Sequence, residues 1–292
     1  MNTEQLSASR MEVRLFDMKH TFESAQPLTF RADYDAAVNS LLYTSGDQLI
    51  NVGASGGVDN ADIIVVSRDI GYANGEVARR FRLHDDMKKI YKKINTDEHI
   101  DAAIKRYRGM RLTLNDPWET TLCFIISQFN NVKRIRLIVR DIVNKYGGEV
   151  LNGNGMPVAR SFPSSARLMR LSTKELLKCG TGFRAKYIKE AAEFCTNNLD
   201  LYRLNPRNYD RLKESLMEIN GVGDKVADCI ALMGYGNMDA FPIDVHIKRA
   251  MERMYFNNRK TKIGKIHEFV EGQWPHMAGY AQQYIFHRER TS

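Results

Sequence analysis

A chain of 292 residues can hold two or three packed domains, and its 43% hydrophobic and 27% charged content is that of an ordinary globular protein rather than a disordered or fibrous one. It has no apolar run of about 18 residues to suggest a membrane span, and its opening "MNTEQLSASRMEVRLF" has no apolar signal core to suggest secretion. The net charge of +8 is uneven: residues 1–80 hold 7 Lys/Arg and 11 Asp/Glu, a balance of −4, and residues 81–292 hold 36 and 24, a balance of +12, which points to a polyanionic partner such as nucleic acid.

The first eighty residues read as sheet. "VRLFDMKHTF" alternates weakly, while "QLINVGASG" and "ADIIVVSR" are β-branched runs separated by a glycine-rich turn. From about residue 82 the pattern becomes helical. "NDPWETTLCFIISQFNNVKRIRLIVRDIVNKYG" reads as a single helix, with an Asn/Asp cap and a proline at its start and Gly147-Gly148 at its end. Further helices are expected at "STKELLKC", "AKYIKEAAEFCTNN", "NYDRLKESLMEI", "KVADCIALMG", "DVHIKRAMERMY", "KIHEFVEGQW" and "AGYAQQYIFHRER". Four widely spaced cysteines (Cys123, Cys179, Cys195, Cys229) form no CxxC pair. That argues against a zinc site, a cysteine-ligated cluster or a disulfide framework, and fits a reducing cytoplasm. The expected fold is α+β: an N-terminal antiparallel sheet domain over 1–81, then a mostly helical domain over 82–292 with a helix–turn–helix unit at about 210–233.

That unit carries the chemistry. In "LMEINGVGDKVADCIALMGYGNMDAFPIDVH" one helix ends near Asn220, Gly-Val-Gly turns the chain, and a second helix begins at once. Gly221 and Gly223 allow close approach of another group, and the free N–H groups of the new helix favour phosphate. The unit therefore reads as a grip on a DNA backbone, although a bare GxG is more often an ordinary helical corner. Lys225 stands at the cation-disfavouring end of this helix and shares a face with Cys229, four residues on. An amine partly shielded from water beside such an apolar stripe is a nucleophile able to form Schiff bases. Asp244, in "FPIDVH", reads as a helix cap accepting from His246 or Ile247 N–H, and a carboxylate so fixed can also stabilise an oxocarbenium-like sugar cation.

The stretch "LMEINGVGDKVADCIALMGYGNMDAFPIDVHIKR" resembles the helix-hairpin-helix–GPD signature of DNA base-excision glycosylases. "VADC" with Lys225 and Cys229, together with "FPIDVH", resembles the 8-oxoguanine DNA glycosylase branch. The likeness extends to "DPWETTLCFIISQFNNVKRI", "GTGFRAKYI", "AGYAQQYIF" and, more faintly, "FDMKHTFESAQPLTF". The resemblance implies a bifunctional glycosylase/AP lyase. Lys225 would attack C1′ of the damaged nucleotide, Asp244 would stabilise the developing positive charge, and the Schiff base would permit β-elimination. The lesion would be flipped out of the duplex. Gln282 and Phe286, an i, i+4 pair, would supply edge hydrogen bonds and a stacking plate, with Cys229 over the opposite face of the base. The carbonyl of Ala25, at a position where the family has glycine, would accept from the N7–H of the lesion.

On the other strand, the resemblance implies that Arg134 and Arg184 read the orphaned cytosine and that Asn130 or Asn131 enters the gap. Phe183 replaces a tyrosine wedge and Phe129 a third asparagine, so looser reading of the opposite base is expected; either arginine could instead contact phosphate. His246 would lie near the lesion's phosphate, with Gly221 and Gly223 on the backbone. No catalytic metal and no cofactor are expected, but the hairpin carbonyls near Met217, Ile219 and Val222 are expected to hold a structural monovalent cation. The implied partner is double-stranded DNA containing 8-oxoguanine. The protein would act as a monomer, away from membranes, in the nucleoid-containing cytoplasm of a prokaryote or the nucleus of a eukaryote. Two alternatives stay open. One is a monofunctional alkyl-base glycosylase using Asp244 alone; the other is a non-catalytic hairpin module.

Overall fold

The computed structural model describes residues 6–291; residues 1–5, which open the stretch read for a secretion signal, and Ser292 lie outside the described residues. The first part is a five-stranded antiparallel sheet of β1 (Ser7–Val13), β2 (Asp33–Asp35), β3 (Ser40–Ser45), β4 (Gln48–Gly57) and β5 (Asn60–Ser67), in the order β1-β5-β4-β3-β2. Alternation sets its buried face: Ile50 and Val52 of β4 and Ile63 and Val65 of β5 point inward against Val77 and Phe81. Between β1 and β2 run α1 (Met18–Glu23) and α2 (Pro27–Arg31), and α3 (Ile70–Arg80) follows β5.

Three local expectations change here. "VRLFDMKHTF" is helix in its second half rather than strand throughout, because Leu15 turns the chain at φ 54° and the Asp17 carboxylate caps α1 by accepting from the His20 N–H at 2.7 Å. The strand that completes this edge lies earlier, with Ser7 paired to Ser67. Helix begins before residue 82, since Asp69 caps α3 through the Tyr72 N–H at 2.9 Å despite the glycines in "GYANGE".

The second part is helical: α4 (Met87–Ile94), α5 (Glu98–Arg106), α6 (Pro117–Ser127), α7 (Val132–Tyr146), the small hairpin β6 (Glu149–Leu151) and β7 (Pro157–Arg160), α8 (Ser165–Met169), α9 (Thr173–Leu177), α10 (Arg184–Asn197), α11 (Tyr209–Met217), α12 (Asp224–Tyr235), α13 (Val245–Tyr255), α14 (Ile263–Gln273) and α15 (Ala278–Thr291). The single helix expected over 115–147 is two, α6 and α7. Phe129 adopts φ 49° and Asn131 starts a new helix by capping the Arg134 N–H at 2.9 Å.

The central helices α6 and α12 are buried nearly all round, and the charged side chains they carry inside, Glu119 and Asp228, each have a partner. The two parts meet in a buried ion-pair network, where Arg80 binds Glu76 at 2.8 Å and reaches Glu119, which also binds Arg31. Each of these buried charges has an opposite partner, the condition under which burial is tolerated. Leu15 and Phe30 from the N-terminal part join the core of the helical part. The turn before α2 is thereby held close to α15.

Candidate active site and DNA-facing surface

The hairpin forms because α11 and α12 are pinned by a buried carboxylate. Asp228 accepts from the Tyr209 hydroxyl at 2.6 Å and pairs with the Lys213 ammonium at 3.0 Å. Burial raises its carboxyl above the usual range, against the pull of those two partners. In the turn, Gly221 has φ 89°, and a Cβ there would stand 2.9 Å from that of Tyr187, so glycine is required twice over. Gly223 is extended, and a Cβ would meet nothing within 4 Å, so its bareness matters only to something arriving from outside. No side chain caps α12, which leaves its first N–H groups for an anion.

Lys225 lies in the first turn of α12, half-buried, with Nζ 5.3 Å from the ring centre of Phe124 on α6. One turn on, Cys229 is buried, within reach of the Lys225 charge. Burial raises its thiol to about 11; the Lys225 charge opposes that shift, while the Asp228 and Asp244 carboxylates reinforce it. Asp244 is half-buried at the start of α13, where one carboxylate oxygen accepts from His246 N–H at 3.0 Å and Ile247 N–H at 2.7 Å. The cap is present as expected, and its charge reaches Cys229. The His246 side chain is exposed beside it.

The segment that bears Asp244 is tied to α15. Gln282 is buried, and its Nε2 donates to the carbonyl of Pro242 at 3.1 Å, two residues before Asp244. That bond fixes the amide with Oε1 turned away, and Oε1 is buried without a partner among the described residues. A buried orphan acceptor costs roughly 1–3 kcal/mol, which a ligand N–H would recover. Phe286, one turn on, is half-buried under the Arg290 guanidinium at 5.7 Å. Ala25 is buried with φ 59°, a conformation that disfavours any residue with a Cβ. No described donor reaches its carbonyl.

On the opposite side, the break between α6 and α7 presents Phe129 with its ring 95% exposed. Its ring meets Phe183 edge-on at 6.3 Å, and Phe183 meets Tyr187 in the same way at 6.3 Å. Gln128 ties this loop to the hairpin by donating to the Gly221 carbonyl at 2.9 Å. The asparagines expected in the gap are engaged locally: Asn130 donates to the Ile126 carbonyl at 3.2 Å, and Asn131 caps α7. Arg184 is buried, donating to the carbonyls of Gln128, Phe129 and Thr181. Arg134 is exposed, with a long contact of 3.4 Å to the Gly180 carbonyl. Among the described residues, no group of three or more His, Cys, Asp or Glu side chains could hold a metal ion, and no helix is long and apolar enough to cross a membrane.

The profile of the HhH-GPD superfamily of base excision DNA repair proteins matches residues 122–276. The chain belongs to this superfamily. It is 32% identical over 234 residues to a probable N-glycosylase/DNA lyase of Methanothermobacter thermautotrophicus, covering 73% of each chain. It is 29% identical over 243 residues to the N-glycosylase/DNA lyase of Saccharomyces cerevisiae, covering 72% of this chain and 64% of the yeast protein. It superposes with a TM-score of 0.84 and 25% identity on the 8-oxoguanine glycosylase/lyase of Clostridium acetobutylicum in complex with double-stranded DNA containing cytosine opposite 8-oxoG, covering 100% of this chain and 99% of that one.

In this HhH-GPD protein the structure adds residues that the motifs do not mark. Phe124 lies seven residues after Pro117 on a helix buried nearly all round, and only the crossing of α6 and α12 brings it to Lys225. Gln128 reaches the hairpin, and Phe129 is exposed, because of a helix break that apolar spacing alone conceals.

Proposed function

We propose that this N-glycosylase/DNA lyase excises 8-oxoguanine from duplex DNA and then nicks the strand, with the flipped nucleotide enclosed between α12, the Asp244 turn and α15. The Lys225 Nζ attacks C1′, the C1′–N9 bond breaks, and the base leaves with the bonding pair and takes up a proton. Asp244 stabilises the positive charge that builds on the sugar. Loss of a second proton from the amine and opening of the sugar ring give a Schiff base. Removal of the C2′ proton then expels the 3′ phosphate, and water releases the enzyme. Gln282 Oε1 accepts from the N–H groups on the purine's pairing edge. Phe286 and Cys229 sandwich the ring, and the Ala25 carbonyl accepts from N7–H. Residues 1–81 act as the domain that contributes this carbonyl, and residues 82–292 contribute the rest. Gly221, Gly223 and His246 follow the backbone.

The gap is filled by Phe129, backed by Phe183, while Arg184 holds the loop and Arg134 is the arginine free to meet the opposite base. An exposed ring is a stacking platform that reads no particular base, so tolerance of the base opposite the lesion goes with this reading. The carbonyls of Met217, Ile219 and Val222 would hold a monovalent cation. Those of Met217 and Val222 take no backbone hydrogen bond among the described contacts, and neutral oxygens suit a hard ion. The protein acts as a monomer where DNA is kept, in the nucleoid or the nucleus.

The observation that carries the reading is the bond from Gln282 to Pro242, which joins the base-reading amide to the segment bearing Asp244 and leaves an unpaired acceptor beside the lysine helix. Borohydride trapping on a duplex with 8-oxoguanine opposite cytosine tests it. A covalent adduct is expected with the native protein and none with Lys225→Gln. An adduct that survives the substitution removes Lys225 from the mechanism.

A further inference from the structure

Beyond the pair that faces the lesion, α15 carries a second set of polar side chains aimed at the N-terminal part. Gln283 is 1% exposed, and its Nε2 donates to the Ser24 carbonyl at 2.8 Å. Arg290, two turns on, donates to the Glu23 carbonyl at 2.9 Å. Between them, His287 meets His20 at 3.4 Å. These side chains fasten α15 to the last turn of α1 and the residue after it. The chain then enters Ala25, whose φ of 59° is unfavourable for a residue with a Cβ. On the far side, Gln26 donates to the Ser24 hydroxyl at 2.8 Å and the Arg111 carbonyl at 2.9 Å, and accepts from the Thr113 N–H at 2.6 Å.

We infer that Gln283 is a positioning residue for lesion selectivity: through the Ser24 carbonyl it holds the strained Ala25 peptide at a fixed distance from the Gln282 and Phe286 side chains on its own helix. The inference rests on the reading in which the Ala25 carbonyl accepts from the lesion. A backbone conformation of this kind is unfavourable and persists only where its surroundings over-determine it. The Gln26 bonds to Arg111 and Thr113 constrain Ala25 from the C-terminal side, and on the N-terminal side Gln26 and Thr21 hold only the Ser24 hydroxyl, not its carbonyl. Gln283 constrains it from the N-terminal side, and does so from the helix whose face must match it. A carbonyl free to rotate away would still leave an open pocket, but one that no longer tests for a hydrogen at N7. Because Gln282 and Gln283 are adjacent, any shift of α15 moves the amide edge and the turn together, so the spacing between them is preserved.

The test is single-turnover kinetics of the full chain on two duplexes, one with 8-oxoguanine opposite cytosine and one with a preformed abasic site, which has no base to read. Gln283→Met keeps the volume and removes the donor. It is expected to slow excision about tenfold, the size of one lost buried hydrogen bond, while abasic cleavage stays within about twofold. Arg290→Met, at an exposed position, is expected to show the same split at smaller amplitude and covers the case in which Gln283→Met does not fold. Equal losses on both duplexes, or none on either, overturn the inference. Native protein that cleaves the abasic duplex but ignores 8-oxoguanine overturns the substrate reading itself, and the inference with it.

Discussion

The proposed lesion side and the proposed gap side of this protein are built by opposite means. Around Lys225, the groups are buried or half-buried and each is fixed by another: Asp244 by two N–H groups, Gln282 by the Pro242 carbonyl, and the hairpin by Asp228. Around Phe129, the groups are exposed rings on a helix break, held from behind by Arg184 and Gln128. Chemistry at one atom needs preorganised charge, which only packed surroundings can fix. Filling a hole in a base stack needs only a flat apolar body at the right height.

The largest effect that would sharpen this contrast is expected at Asp244. Asparagine caps helices about as well as aspartate, so Asp244→Asn should leave thermal stability within about 0.5 kcal/mol. On the proposed reading it removes the charge that faces the sugar, and loss of one preorganised group of this kind slows reaction about 10²–10³-fold. Stability and single-turnover excision, measured together, separate the two roles. A fall in stability with normal excision would make Asp244 a cap and nothing more.

How much of each side could be read beforehand follows from the same contrast. The hairpin, Lys225 and the Asp244 cap lie within one contiguous stretch, where glycine spacing and capping residues are local signals. Gln282 and Phe286 were readable as an i, i+4 pair on one helix. Gln283 stood next to them, but its partner is 259 residues away in sequence, and nothing local announces that bond. The resemblance marks Phe129 only as a departure from asparagine; its exposure is not legible, because apolar spacing runs on through the break and a left-handed φ at a phenylalanine is a tertiary outcome that spacing does not encode. The N-terminal misreading has the same origin. Alternation over "VRLFDMKHTF" suggested a strand, yet a single cap at Asp17 made the second half helix.

An intermediate effect is expected on the gap side. Phe129→Ala removes a ring that is 95% exposed and so should not change stability measurably. Stacking of a base on an aromatic ring is worth about 1–3 kcal/mol, so affinity for lesion duplex should fall roughly tenfold to a hundredfold. Trapping at a preformed abasic site should persist once the duplex is saturating. Unchanged affinity would return the gap to Asn130 and Asn131, and would erase the difference between exposed rings and buried anchors.

The smallest effect belongs to the seam between the two parts and is read by pH. His287 is fully buried, and its imidazole is depressed to about 4 by burial first, and then by His20, Arg290 and Arg106, which face it; Tyr107 packs against its ring. The folded state therefore takes up this proton well below the ordinary value of 6.5, while the unfolded chain takes it up near 6.5. With more protons on the unfolded state, stability falls as pH drops from 6.5 towards 4 and recovers above 6.5. Between pH 7 and 5.5 the loss from this one group is about 1 kcal/mol. Denaturant melts of the native protein and of His287→Phe, at pH 7 and at 5.5, isolate it as a difference between two slopes. Equal slopes would mean that the imidazole is solvated in the folded state, and that the clasp between α15 and α1 is looser than the buried faces around Lys225.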